Sequence, residues 1–138
     1  MDPTTQFPYD HVFYSGNTPA PNKYTQPTAI GFHAQILADV VRGRAVMPGV
    51  TKLQALAKLE TLMDHLVSAQ NNLAISRDGL LITFISLNDP LNPVPAGNPP
   101  HQTIGLGDNS NMAQSLAVMM GALEGGTYSS SELIKKNS

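Results

Sequence analysis

The sequence predicts a mainly α fold: an incomplete α/α toroid of antiparallel helix pairs set around an axis, with one irregular β-hairpin. Three observations point there. Residues 28–43 are apolar over most of a helical circumference, residues 51–71 have one apolar and one polar face, and residues 109–124 are again apolar nearly all round. A helix buried on several sides, alternating with one that keeps a wet side, is the order that paired inner and outer helices produce. Three and a half helices cannot close such a ring. The chain is therefore either a small helical bundle complete in itself or the first part of a larger barrel.

Taken in order, residues 1–27 hold five of the eleven prolines together with Phe7, Tyr9, Phe13, Tyr14 and Tyr24. That mixture describes an ordered, extended lead-in rather than a flexible tail. The remaining 28–138 is read as one partial toroid domain, since 138 residues leave no room for a second core of ordinary size. Pro27 suits a first helical turn, and Ile30, Ala34, Leu37 and Val41 recur at helical spacing while Phe32, Ile36 and Val40 fill the adjoining stripe. After the Pro48-Gly49 turn, Thr51 and Gln54 form a capping-box pair that opens the second helix. Its apolar face is Leu53, Leu56, Leu59, Leu62, Met63, Leu66 and Val67, and Gln54, Lys58, Thr61, His65 and Ser68 lie opposite. Residues 79–87 follow an Arg77-Asp78-Gly79 turn and read as a strand, with 102–106 as its short return partner across a proline-rich loop. Asp108 is the expected N-cap of the third helix, and Gly125-Gly126 its stop. A last capping box, Ser129 to Glu132, opens a helix at Leu133.

Composition narrows function. Charged residues are 13% of the chain, about half the ~25% usual in soluble domains, and eight Lys plus Arg nearly balance ten Asp plus Glu. No basic stripe gathers, so nucleic acid and membrane surfaces are not expected as partners. Zero cysteines exclude disulfides, thiolate nucleophiles and cysteine-ligated zinc, and leave the compartment open. No window approaches a membrane span, and the start, Met-Asp-Pro-Thr-Thr, has neither the basic nor the apolar region of a signal peptide. The reading is a soluble chain without an export signal of its own.

Among chemistry-bearing residues, His11, His33, His65 and His101 show no paired spacing, so no metal and no cofactor is expected, and His33 reads as a hydrogen-bonded core or cleft residue. Met112, Met119 and Met120 are at helical spacing and read as core. Gly105-x-Gly107 has neither a third glycine at spacing nor a lysine, which sets a phosphate loop aside. Asp39 can pair with Arg42, and Glu60, Asp64, Glu124 and Glu132 sit at solvated or capping positions. That leaves Asp10, Asp89 and Asp108 in the loops that would line the mouth of a toroid. Asp108 serves first as a helix cap and second as a sugar contact, and Asp89 before Pro90 is first a turn residue. Inner helices of a toroid run parallel and present the same end to the same mouth. Tyr24, Gln26, Thr28, Asp108, Asn109 and Asn111 are accordingly expected to converge on one polar concavity, with Asp89 at its rim, as substrate-binding residues. Tyr24 is the nearby ring for stacking.

Three motifs carry a family resemblance. Tyr24-Thr-Gln-Pro-Thr-Ala-Ile-Gly-Phe32 resembles the Tyr-Thr-Ser-Pro-Thr-Asn-Ile-Gly lead into the first inner helix of glucoamylase-like α/α-barrel proteins, a group similar to bacterial β-1,2-glucan-processing enzymes. Gly79-Leu-Leu-Ile-Thr-Phe84 resembles that family's glycine-aromatic strand, and Ile104-Gly-Leu-Gly-Asp-Asn-Ser-Asn-Met-Ala113 its Ser-Thr-Val-Asp-Asn-Gly-Asn-Leu-Ala turn into the next inner helix. Together they cover about 24–124. Ala29 stands where the family has asparagine, Phe84 alone remains of its aromatic pair, and tryptophan is absent. The resemblance implies the N-terminal portion of a carbohydrate-active, glycosidase-like barrel that binds or acts on a glucan or oligosaccharide. Its catalytic carboxylates would lie beyond this stretch, so this part alone is catalytically incomplete, and a longer form would fit a periplasmic or secreted setting. The competing expectation is a self-contained helical interaction module without enzymatic activity, binding a protein through an open apolar flank. Self-association, or the remaining half of the barrel, would cover that flank in the first reading.

Overall fold

The computed structural model describes residues 1–100 and 102–124, so His101 and the expected cap at Ser129–Glu132 lie outside the described residues. Three helices dominate, accompanied by small antiparallel sheets: α1 (Pro27–Val41), α2 (Lys52–Gln70) and α3 (Leu106–Glu124). Each start and stop has a local cause. Pro27 is the first residue of α1, where its missing N–H removes no intrahelical bond. At the other end, Arg44 N–H donates to Asp39 C=O and Gly43 N–H to Val40 C=O, with Gly43 at φ 76°, which closes the last turn in a Schellman arrangement. The expected capping box opens α2: Gln54 N–H donates to Thr51 Oγ1 at 3.1 Å and Thr51 N–H to Gln54 Oε1 at 2.9 Å. At its end, Asn71 Nδ2 donates to Val67 C=O.

Helix α3 begins three residues earlier than expected. Asn109 N–H donates to Gly105 C=O, which puts Gly105 at the cap and Asp108 inside the first turn. Asp108 therefore does not cap its own helix. Its carboxylate accepts instead from the Thr28 hydroxyl of α1 at 2.7 Å.

The core forms where α1 packs on both other helices. Ile30, Ala34, Leu37, Ala38 and Val41 of α1 meet Ala55, Leu59, Leu62, Met63 and Leu66 of α2 and Met112, Leu116, Met119 and Leu123 of α3. Gly43, just past the end of α1, lies against Lys52 at the start of α2, so these two helices are antiparallel. Thr28 meets Asp108, and Gly31 meets Met112 and Ser115, so α1 and α3 run parallel. Burial is less complete than the periodicity suggests. Phe32 is 57% and Ile36 48% exposed on α1, Leu53 is 66% exposed on α2, and Val67 is also exposed, because only the faces turned toward a neighbouring helix are covered.

The lead-in contains strands as well as loop. Residues 2–7 form a hook in which the Asp2 carboxylate accepts from the Thr4 and Thr5 amides and the Thr5 hydroxyl, burying Phe7 in the core. A hairpin follows, β1 (His11–Ser15) with β2 (Thr18–Asn22). Next comes β3 (Tyr24–Thr25), which leads straight into α1. The hairpin β4 (Ser76–Arg77) with β5 (Leu80–Leu81) turns through Asp78 and Gly79 at φ 53° and 81°, the two left-handed residues a two-residue hairpin loop favours.

The expected single strand at 79–87 is broken, and its partner differs. Leu80–Leu81 belongs to β5, while β6 (Ile85–Ser86) is the centre of a three-stranded sheet between β3 and β7 (Val94–Pro95). The 102–106 stretch contributes one bridge, Ile82 to Ile104, together with Thr83 N–H donating to Thr103 C=O. Both edges of β6 are already taken, by Tyr24–Thr25 and by Val94–Pro95, so no ladder is left for a longer return strand. Pro95, which cannot donate, occupies an edge strand where that loss is tolerated.

Candidate functional site

Two neighbouring clusters are built where β3 enters α1. The first is a groove of about 550 Å³ over the three-stranded sheet, lined by Asn22–Tyr24, Phe84, Ser86, Asn88 and the Val94–Gly97 wall. Tyr24 and Phe84 form its aromatic part, edge to face with centroids 5.6 Å apart and planes at 81°. Tyr24 is held on several sides. Its strand pairs with β6 in the register Tyr24–Ser86, its carbonyl accepts from Asp10 N–H at 2.9 Å, and its hydroxyl is hydrogen-bonded to the Asp10 carboxylate. Burial, then that bond and the Asp10 charge, hold the Tyr24 phenol above its ordinary pKa of 10.0, so it is neutral and remains the donor. Asp10 also accepts from Gln26 Nε2 at 2.5 Å. Loss of side-chain freedom in Tyr24 is thus completed on folding, leaving less to lose on binding a ligand.

The second cluster lies at the parallel N-termini of α1 and α3. Thr28 Oγ1 donates to Asp108 Oδ1 at 2.7 Å and lies 3.4 Å from Asn111 Nδ2, which donates to it. Thr83 Oγ1 and Asp108 Oδ2 flank Gly105 so closely that a β-carbon there would sit 3.0 Å from each. Tyr24 and Thr28 are joined by one strand-to-helix run, which sets the two clusters side by side.

The seven sequence-predicted residues divide accordingly. Thr28, Asp108 and Asn111 meet at the helix N-termini, and Tyr24 and Gln26 join through Asp10. Asn109 does not present a polar group to a ligand. It is buried, its Oδ1 accepting from Leu81 N–H at 2.9 Å and its Nδ2 donating to the Leu81 and Gly105 carbonyls, so its amide ties α3 to β5. Asp89 closes a turn, accepting from Asn92 Nδ2 at 3.1 Å, and does not line the groove. Asp39 and Arg42 make no ion pair, and Arg42 Nε is buried without a partner among the described residues. His33 is half-buried beside Met1, its Nε2 3.2 Å from the thioether sulfur. Burial first, then the amino terminus and Lys58, pushes it down to about 4, so the ring is neutral. Among the described residues no three metal-ligating side chains gather, and no helix is long and apolar enough to cross a membrane.

Sequence reasoning missed Lys23, Ser86, Asn88 and the 94–97 wall. The proline spacing at 90, 93 and 95 is the available signal that the chain folds back there. Compared with protein-family models, curated proteins and solved structures, the chain shows no match.

Proposed function

We propose that this chain is the saccharide-holding part of a carbohydrate-active α/α-barrel protein, and that the Tyr24–Phe84 groove takes a glucan or oligosaccharide. The observation that carries the reading is the prefixed aromatic pair beside amide and hydroxyl groups of Asn22, Ser86 and Asn88. A sugar ring offers an apolar C–H face and a rim of hydroxyls, and this lining supplies a counterpart to each. The helix arrangement supports the toroid part of the reading, because α1 is flanked by an antiparallel α2 and a parallel α3, as an inner helix is by its outer partner and the next inner helix. Phe32 and Ile36 on α1 and Val118 on α3, each about half exposed, are where further helices of such a barrel would pack.

Hydrolysis itself needs two carboxyl groups across the bond. The groove lining contains none, and Asp10 beside it already holds Tyr24 and Gln26. On this reading the chain binds and positions sugar without cleaving it.

Titration calorimetry with a panel of gluco-oligosaccharides of β-1,2, β-1,3, β-1,4 and α-1,4 linkage tests the proposal. At least one should bind, and Tyr24→Ala should weaken it about tenfold, as expected for an aromatic anchor. A panel that fails to bind, or binding indifferent to Tyr24, would overturn the reading.

A further inference from the structure

The groove has a feature that a neutral glucan does not use. Among the described residues that line it, Lys23 alone is charged, in a chain whose formal net charge is −2. Lys23 is exposed, and no ion pair engages it among the described residues. Asp10, beside the groove, accepts from Gln26 and the Tyr24 hydroxyl. The backbone on either side is fixed, with Leu87 N–H donating to Lys23 C=O at 2.8 Å and Tyr24 paired to Ser86. Among the described residues, an ammonium with no ion-pair partner thus shares the groove lining with an aromatic pair and three uncharged hydrogen-bonding side chains. Rings and a cation lining one groove fit a sugar that bears a carboxylate.

We propose that the groove prefers an acidic saccharide, one whose chain includes a uronic acid residue with its carboxylate at Lys23. The inference rests on the saccharide reading above and specifies its ligand. Lys23 supplies charge recognition, and Tyr24 with Phe84 supplies the surface for the ring face. An exposed ammonium–carboxylate pair sets the scale of the preference at about fivefold, and salt should weaken it.

The test uses a matched pair of probes: a gluco-oligosaccharide and the same oligosaccharide oxidised at C6 to glucuronate, titrated by calorimetry at low salt and again at about 1 M NaCl. The oxidised probe should bind about fivefold more tightly at low salt, and the gap should close at high salt. Lys23→Gln should remove the gap, the loss falling on the oxidised probe. The Lys23 backbone bond to Leu87 does not depend on its side chain, so a thermal melt should show the variant folded. Equal affinity for both probes, or a Lys23→Gln loss shared by both, would overturn the acidic preference while leaving the saccharide reading standing. If neither probe binds, the saccharide reading fails and this inference with it.

Discussion

Gly31 is where the α1–α3 packing can be tested with a single methyl group. It lies in the second turn of α1, and a β-carbon built there would sit 2.9 Å from Met112 Cα, 3.0 Å from Ser115 Cβ and 3.3 Å from Met112 O. Carbon atoms in favourable contact are ~3.5–4.0 Å apart, and the nearest obstacle is backbone, which no rotamer change can move aside. Two effects then compete in Gly31→Ala. Helix propensity favours alanine by about 1 kcal/mol. Forcing α3 outward costs about 1–3 kcal/mol as over-packing, and the shift also strains the Thr28–Asp108 bond that links the two helix starts. The net effect should be a destabilisation of ~0.5–2 kcal/mol, or a Tm lowered by a few degrees. Gly121 on α3 is the internal control, because a β-carbon there meets nothing within 4 Å, so Gly121→Ala should gain up to ~1 kcal/mol. Urea denaturation followed by circular dichroism reads both. If Gly31→Ala stabilises as Gly121→Ala does, the close parallel approach of α1 and α3 is refuted.

Other expectations follow from single contacts. Thr51→Ala removes half of the α2 capping box and should cost about 1 kcal/mol in the same denaturation assay. Asn109→Leu leaves the Leu81 N–H and C=O without the partners they now have, and should cost roughly 2 kcal/mol or more, well beyond Asn111→Leu at the exposed position nearby. His33 gives a pH dependence. Its folded pKa of about 4 lies below the ordinary 6.5, so the unfolded chain binds more protons between those values. Its contribution is fully present above pH 6.5 and is lost as pH falls toward 4. Discounted for partial exposure, that loss should be ~1 kcal/mol, and it should disappear from the Tm-against-pH profile of His33→Gln.

The helices were legible because their signals are local. Pro27 and the Thr51–Gln54 pair mark starts that depend on residues within one turn, and the apolar periods extend over several turns. Where a side chain acts across the fold, the reading failed. Asp108 looks like a cap because an acid before an apolar run usually is one, yet Gly105 holds that place and Asp108 reaches to α1. Asn109 looks like a group offered at a helix mouth, yet its amide turns inward to Leu81. The sheet illustrates the same limit. Strands of two residues have no period to read, and whether Ile85 pairs with Pro95 or with the stretch near Ile104 is decided by how the proline-rich loop folds back. The groove is assembled from three such pieces, 22–24, 84–88 and 94–97. Only Tyr24 stands out in the sequence, as an aromatic residue leading into an apolar helix, and nothing in the 79–87 strand pattern marks Phe84 as its neighbour.

A ¹H–¹⁵N NMR titration of the chain with the oligosaccharide panel tests directly whether the Tyr24–Phe84 groove is a saccharide site. Amide shift changes should saturate and cluster at Asn22–Tyr24, Phe84–Asn88 and Val94–Gly97 (excepting Pro95, which has no amide), with Phe32, Ile36 and Val118 on the helical flank unmoved. Shifts confined to that flank, or a spectrum unchanged by every sugar, would contradict the saccharide reading.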